Sequence, residues 1–106
     1  MIFIESKLFE KFRESYFDDE SYKAFQNFLL EQPLAGDVIQ GTGGLRKVRW
    51  ASKGKGKRSG VRTIYLYLVE KSHIHFLTVY AKNEMSDLTP NEKKILKTLA
   101  EEIKNG

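Results

Sequence analysis

Two long apolar runs separated by a short turn constrain the fold of this chain most strongly. Val61 to Val69 and His73 to Ala81 are rich in β-branched and aromatic residues, whereas Glu70 to Ser72 between them is short and polar. Such runs are typical of strands, and a short polar connection joins neighbouring antiparallel strands. The sequence therefore predicts a hairpin in the core of a sheet.

Helices are predicted before this hairpin. A short strand lies within Met1 to Ser6, and Lys7 to Tyr16 then has one apolar stripe at helical spacing. Asp18 or Asp19 can cap a second amphipathic helix, which ends before Pro33. The aromatic residues of both helices recur at helical spacing, so we expect them in the core rather than on a base-stacking surface.

A capped helix closes the chain. Thr89 is the predicted N-cap, Pro90 the first helical residue and Glu92 the acidic partner of a capping box. The apolar stripe of this helix consists of Ile95, Leu96, Leu99 and Ile103. We therefore expect a single α+β domain over residues 1–106, with a mainly antiparallel sheet between the first two helices and the last one.

The segment between the second helix and the hairpin combines a glycine turn, a strand and a loop. The glycines at Gly41, Gly43 and Gly44 lack the Lys-Ser or Lys-Thr pair of a phosphate-binding loop and are interpreted as a turn. Leu45 to Trp50 alternates, with Lys47 and Arg49 on one face and Arg46, Val48 and Trp50 on the other. Ser52 to Gly60 interleaves Gly and Lys and is predicted to be a hairpin loop.

Positive charge is concentrated in this segment. The chain has eighteen basic and fourteen acidic residues, and eight of the basic ones lie between Arg46 and Arg62, leaving ten against fourteen elsewhere. No acidic residue lies between Val38 and Val69. A basic face of this kind attracts polyanions, most commonly nucleic acid, although a solvated basic loop without a function is the alternative.

The remaining composition limits the chemistry. The chain has no cysteine, which excludes disulfides, thiolate metal sites and cysteine nucleophiles and suits a reducing cytoplasm. No run approaches the roughly 18 apolar residues of a membrane span, so we expect a soluble cytoplasmic protein. His73 and His75 could serve as an acid and base pair, but they adjoin the turn at Glu70 to Ser72, far from the basic loop, and are too few for a metal site.

Four ordered motifs resemble the HigB branch of the RelE toxin superfamily. They are Gly-Leu-Arg-Lys-Xaa-Arg at 44–49, Gly-Lys-Gly-Lys-Arg at 54–58, Gly-Xaa-Arg-Xaa-Ile-Tyr at 60–65 and Tyr-Xaa-Lys-Asn-Glu at 80–84. The resemblance implies a small twisted antiparallel sheet with two helices on one face. It also implies a toxin that cleaves mRNA in the ribosomal A site, formed by 16S rRNA, without a cofactor or metal. The implied protein partner is an antitoxin, HigA-like with a helix-turn-helix DNA-binding domain.

The resemblance also assigns residues. The catalytic positions fall at Lys47, Arg49, Arg62 and Lys82, with Arg46 as the register alternative to the two β-strand positions. A later tyrosine of RelE is absent here, because Lys82 and Asn83 follow the last core strand and no tyrosine follows Tyr80. Lys82 or a group of the ribosome would then act as the general base. The expected contacts to RNA or ribosome are Arg46, Trp50, Lys53, Lys55, Lys57, Arg58, Tyr65 and Tyr80.

The expected reaction is attack of the 2′-hydroxyl on the adjacent phosphorus, leaving a 2′,3′-cyclic phosphate and a 5′-hydroxyl. Arg62 and Lys47 would stabilise the negative charge of the phosphorane. A competing hypothesis is a non-catalytic RNA-binding or ribosome-binding module that uses the same basic face. Surface ion pairs of Arg62 and Lys82 with Glu84 or Asp87 are the structural alternative for these two residues.

Overall fold

The helices and strands follow the predicted order. The computed structural model describes residues 1–51, 60–81 and 88–106. The predicted loop Ser52 to Gly60, apart from Gly60 itself, and Lys82 therefore lie outside the described residues. The elements are β1 (Ile2–Glu5), α1 (Lys7–Tyr16), α2 (Asp19–Glu31), β2 (Asp37–Val38), β3 (Arg46–Trp50), β4 (Val61–Leu68), β5 (His73–Ala81) and α3 (Pro90–Asn105). The α+β prediction is confirmed.

The strands form one sheet with the order β1-β5-β4-β3-β2. The predicted hairpin of β4 and β5 is confirmed, with Leu68 opposite His73 at the turn and Val61 opposite Ala81 at the other end. All pairs are antiparallel except β1 with β5, which is parallel. The hairpin therefore lies inside the sheet, and β3 places the basic segment directly beside it.

The first two helices pack on one face of this sheet around aromatic side chains. Phe9 and Phe25 are fully buried, and their rings lie 4.8 and 5.7 Å from the ring of Phe76. Ser6 caps α1 by accepting a hydrogen bond from the Phe9 N–H at 3.0 Å, and Asp18 caps α2. The prediction that the aromatic residues of these helices form core is confirmed for Phe9, Tyr16, Tyr22 and Phe25, whereas Phe12 is 37% exposed.

Helix α3 covers the opposite face. Its Ala100 is buried with Leu45, Ile64 and Leu66, and the predicted capping box joins Thr89 and Glu92 at 2.8 and 3.1 Å. Only two of the four residues in the predicted apolar stripe of α3 pack against the sheet. Leu96 and Ile103 pack against this cluster, whereas Ile95 is 54% and Leu99 is 42% exposed. Within the described ranges, no helix is both long enough and apolar enough to cross a membrane.

The side chain of Thr63 leaves one polar atom unsatisfied in the core. Thr63 is fully buried on β4, and its Oγ1 has no hydrogen-bond partner among the described residues. Burying a hydroxyl without a partner costs free energy. We therefore expect Thr63→Val to raise the free energy of unfolding by about 1 kcal/mol. Urea denaturation followed by circular dichroism tests this, and equal or lower stability would show that Thr63 has a partner in solution.

Candidate functional site

Three basic side chains meet on one face of the central strands. Arg49 on β3 lies directly opposite Arg62 on β4, and Lys47 lies two residues from Arg49, opposite Ile64. Because side chains alternate along a strand, Lys47, Arg49 and Arg62 share one face, as the alternation of β3 predicts. Arg49 is exposed, and Lys47 and Arg62 are partly exposed. We call these three residues the strand cationic cluster.

This arrangement suits an anion. Directly opposed side chains on neighbouring antiparallel strands have Cβ atoms about 5 Å apart, and like charges placed in this way repel one another. A phosphate between Arg49 and Arg62 would relieve the repulsion, and guanidinium groups bind phosphate oxygens in a bidentate manner. Both arginines stand on hydrogen-bonded strands, so the backbone fixes the positions of their Cα atoms relative to each other.

Arg46 has a different role. It lies on the other face of β3, and its Nη1 donates hydrogen bonds to the carbonyl oxygens of Gly36 at 2.7 Å and Leu34 at 3.3 Å. These contacts hold the segment that follows α2 against the sheet. The structure therefore places Lys47 and Arg49 beside Arg62. Arg46, expected to bind RNA, instead has a structural role on the opposite face of the sheet.

Two of the aromatic residues expected to contact RNA have structural roles instead. Tyr65 is fully buried, and its hydroxyl accepts a hydrogen bond from the Gly36 N–H at 2.9 Å and donates one to the Pro33 oxygen at 2.8 Å. Burial also raises the pKa of Tyr65. The expectation for Tyr65 is wrong, because a side chain without exposed surface offers no ring face to a base. Trp50 lies 5.4 Å from Phe25 and donates to Ser21 Oγ at 3.3 Å, so its indole packs against α2.

Tyr80 lies closer to the strand cationic cluster. It is directly opposite Arg62 on β5 and therefore on the same face. However, it is only 6% exposed and belongs to the core cluster that contains Ala100 of α3. Tyr80, expected to contact RNA, therefore offers little ring surface to a base, because the ring is packed in this cluster.

The other predicted site residues lie outside the described ranges. They are the loop residues Lys53, Lys55, Lys57 and Arg58, together with Lys82. Glu84 and Asp87, the alternative partners of Arg62 and Lys82, lie there as well. The chain leaves the described sheet after Ala81, which is opposite Val61, the neighbour of Arg62 in sequence. Ala81, the last described residue of β5, therefore lies beside the strand cationic cluster.

Asp37 is a charged neighbour that the sequence did not reveal. It lies on the edge strand β2, directly opposite Lys47 and on the same face, and it is exposed. A carboxylate at this position can orient the Lys47 ammonium or accept a proton at the border of the strand cationic cluster. Asp37 is the last acidic residue before the acid-free stretch that begins at Val38. Only the pairing of β2 with β3 reveals that it lies beside Lys47.

The two histidines lie at the other end of the sheet. His73 and His75 are opposite Leu68 and Leu66, and their rings are 6.0 Å apart. They are separated from Arg62 by most of the length of β4, as the sequence predicts. Over the described part of the chain, no group of three or more His, Cys, Asp or Glu side chains is placed to hold a metal ion.

The environment of His75 predicts a pH dependence of stability. Burial, followed by the charges of His73 and Lys71, lowers the pKa of His75 below 6.5. The unfolded chain then binds the proton more readily, so stability should fall as the pH drops below 6.5. Urea denaturation at pH 7.5 and 5.5 tests this, with His75→Gln as the comparison. The variant should show the smaller decrease, and an equal decrease would assign the effect to other groups.

Comparisons with known proteins agree with this architecture. A family model described as the RelE toxin of the RelE/RelB toxin–antitoxin system matches residues 2–105. A solved structure of E. coli toxin RelE, a mutant with two arginines changed to alanine and in the free state, is similar with a TM-score of 0.52. The alignment has 16% sequence identity and covers 78% of this chain and 84% of that chain. At this identity the solved structure shows a shared fold.

Proposed function

The chain belongs to the RelE toxin family, the toxin side of a toxin–antitoxin system, and on that basis we propose that it cleaves mRNA on the ribosome. The observation that supports this proposal is the strand cationic cluster, because Arg49 and Arg62 stand directly opposite each other and their guanidinium groups could both bind one phosphate. The four sequence motifs further support the HigB branch of the superfamily.

In the proposed reaction, the scissile phosphate binds between Arg49 and Arg62, with Lys47 beside it. The 2′-oxygen forms a bond to phosphorus while the bond from phosphorus to the 5′-oxygen breaks. The products are a 2′,3′-cyclic phosphate and a 5′-hydroxyl. The fixed charges of Arg62, Arg49 and Lys47 stabilise the extra negative charge of the phosphorane.

Two proton transfers complete the proposed reaction. A base removes the 2′-hydroxyl proton, and the departing 5′-oxygen gains a proton. Lys82 is our candidate base, from its match to the family pattern. Tyr65 is excluded from this role because its hydroxyl is buried on the other face of the sheet and bonded to Pro33 and Gly36.

Toxins of this family pair with an antitoxin, and we propose a HigA-like partner with a helix-turn-helix DNA-binding domain. The loop residues Lys53, Lys55, Lys57 and Arg58 are proposed to contact 16S rRNA through screened phosphate contacts. A protein that acts on translating ribosomes works in the cytoplasm, which is the compartment we propose.

The test is a purified translation reaction with a defined mRNA, with and without ribosomes. We expect cuts within translated codons, bearing 5′-hydroxyl ends, only when ribosomes are present. Retention of the protein on ribosomes with intact mRNA would instead indicate a binding module. Equal cutting of naked RNA would contradict ribosome dependence.

A further inference from the structure

The turn between β2 and β3 has an unusual backbone. Gly41, Gly43 and Gly44 have φ values of 80°, 75° and 104°, which glycine adopts without strain. Thr42 between them is fully buried, and its hydroxyl donates to the Ile39 oxygen at 2.6 Å, which fixes the turn. Turns of this kind can present backbone N–H groups to an anion.

Two lysines of α3 lie over this turn. Lys97 and Lys104 are seven residues apart and therefore on one side of the helix. A β-carbon built on Gly43 would be 3.6 Å from Lys104 Nζ and 3.8 Å from Lys97 Cγ. Lys104 Nζ donates a hydrogen bond to the Gly43 oxygen. An ammonium group has three donors, so two remain for a ligand after this bond.

The turn and the strand cationic cluster belong to the same side of the molecule. Helix α3 packs on the sheet face that includes Leu45 and Ile64, and Lys47, Arg49 and Arg62 lie on that face. Lys47 follows Gly44 by three residues, a distance of about 10 Å along an extended chain. One extended polyanion can therefore contact both places.

We propose that the turn Gly41–Gly44, with Lys97 and Lys104, binds a phosphate group of an RNA backbone at a site separate from the strand cationic cluster. The absence of glycine side chains lets the ligand approach the backbone. The Lys104 ammonium supplies charge at the turn, and Lys97 adds a second charge on the same side of α3. The proposal deepens the proposed function and rests on it for the choice of RNA as the polyanion. The site positions RNA and takes no part in bond cleavage.

The test is binding of a fluorescent single-stranded 2′-O-methyl RNA, which lacks the attacking hydroxyl and stays intact. Fluorescence anisotropy is measured at several salt concentrations. We expect Lys97→Gln/Lys104→Gln to weaken binding about tenfold and to reduce the slope of log affinity against log salt by about 1. The matched control is Lys7→Gln/Lys23→Gln, which removes the same charge from exposed positions on α1 and α2.

Wild-type affinity and salt slope in the α3 variant would overturn the proposal, as would an equal loss in the control. Lys97→Gln alone keeps the bond from Lys104 to Gly43 and should bind about threefold more weakly. If the double variant loses stability in a thermal melt, RNA binding by Lys97→Gln alone tests the proposal instead. The experiment distinguishes failure of this site from failure of the proposed function. RNA binding through this site without mRNA cleavage would contradict only the catalytic function. Cleavage by the wild type with unchanged RNA binding in the α3 variants would contradict only this site.

Discussion

Arg62→Ala should lower the single-turnover rate of mRNA cleavage on ribosomes by about 10²–10³-fold, the loss typical of removing one group that stabilises a transition-state anion. Arg62 stands on β4, between β3 and β5, and faces Arg49 directly. The strand therefore fixes the backbone position of Arg62 before the phosphorane forms. Ribosome binding by the variant should change much less, because we propose that other basic residues also contact RNA.

The matched control for this variant is Arg13→Ala. Arg13 is also an arginine, but it lies on α1, over the ring of Tyr22 and 3.5 Å from Asp19, on the opposite side of the sheet. Its removal should leave the cleavage rate within about threefold of wild type, because its charge is remote from the strand cationic cluster. If Arg62→Ala weakened binding and cleavage equally, Arg62 would position RNA rather than stabilise the transition state.

Gly60→Ala should destabilise the protein by about 3 kcal/mol or more, which is among the largest effects of a single substitution. Gly60 has a φ of 73°, and a β-carbon there would be 2.5 Å from the carbonyl oxygen of Trp50. Backbone atoms cannot move aside as a flexible side chain can, so β3 and β4 must separate at this end. Arg49 and Arg62 lie one residue inside the Trp50–Val61 pair, so cleavage should fall as well.

Gly41→Ala is the control for the steric part of this effect. Its φ of 80° is similar, but a β-carbon at Gly41 would have no atom within 4 Å. This substitution should cost only the conformational strain, about 1 kcal/mol. Urea denaturation of both variants measures the difference, and equal losses would show that the contact with Trp50 does not determine the requirement for glycine at position 60.

Local patterns in the sequence predict most of the fold. The caps at Asp18 and Thr89, the apolar runs of β4 and β5 and the alternation of β3 are each encoded within a few residues, and each is confirmed. The parallel partner of β1 has no such signal, because β1 and β5 are separated by most of the chain. Ile95 and Leu99 share the helical spacing of buried residues but remain exposed, because α3 packs on the sheet through Leu96, Ala100 and Ile103.

For the site as well, local patterns are readable from the sequence, whereas contacts between distant residues are not. Alternation places Lys47 and Arg49 on one face, and strand pairing then brings Arg62 beside them. Composition alone does not distinguish an aromatic side chain that packs in the core from one that stacks on RNA. The buried hydroxyl of Tyr65 therefore becomes evident only from its hydrogen bond to Gly36. The position of Lys104 over Gly43 likewise depends on how α3 docks, across 61 residues of chain.

The central claim is that the sheet face carrying Lys47, Arg49 and Arg62 cleaves mRNA that is being translated. The most direct test is to map mRNA 5′ ends in bacterial cells after brief expression of the wild type and of Arg62→Ala at matched protein levels. We predict new 5′-hydroxyl ends inside translated codons with the wild type and almost none with the variant. The same ends at the same frequency with both proteins would contradict the claim.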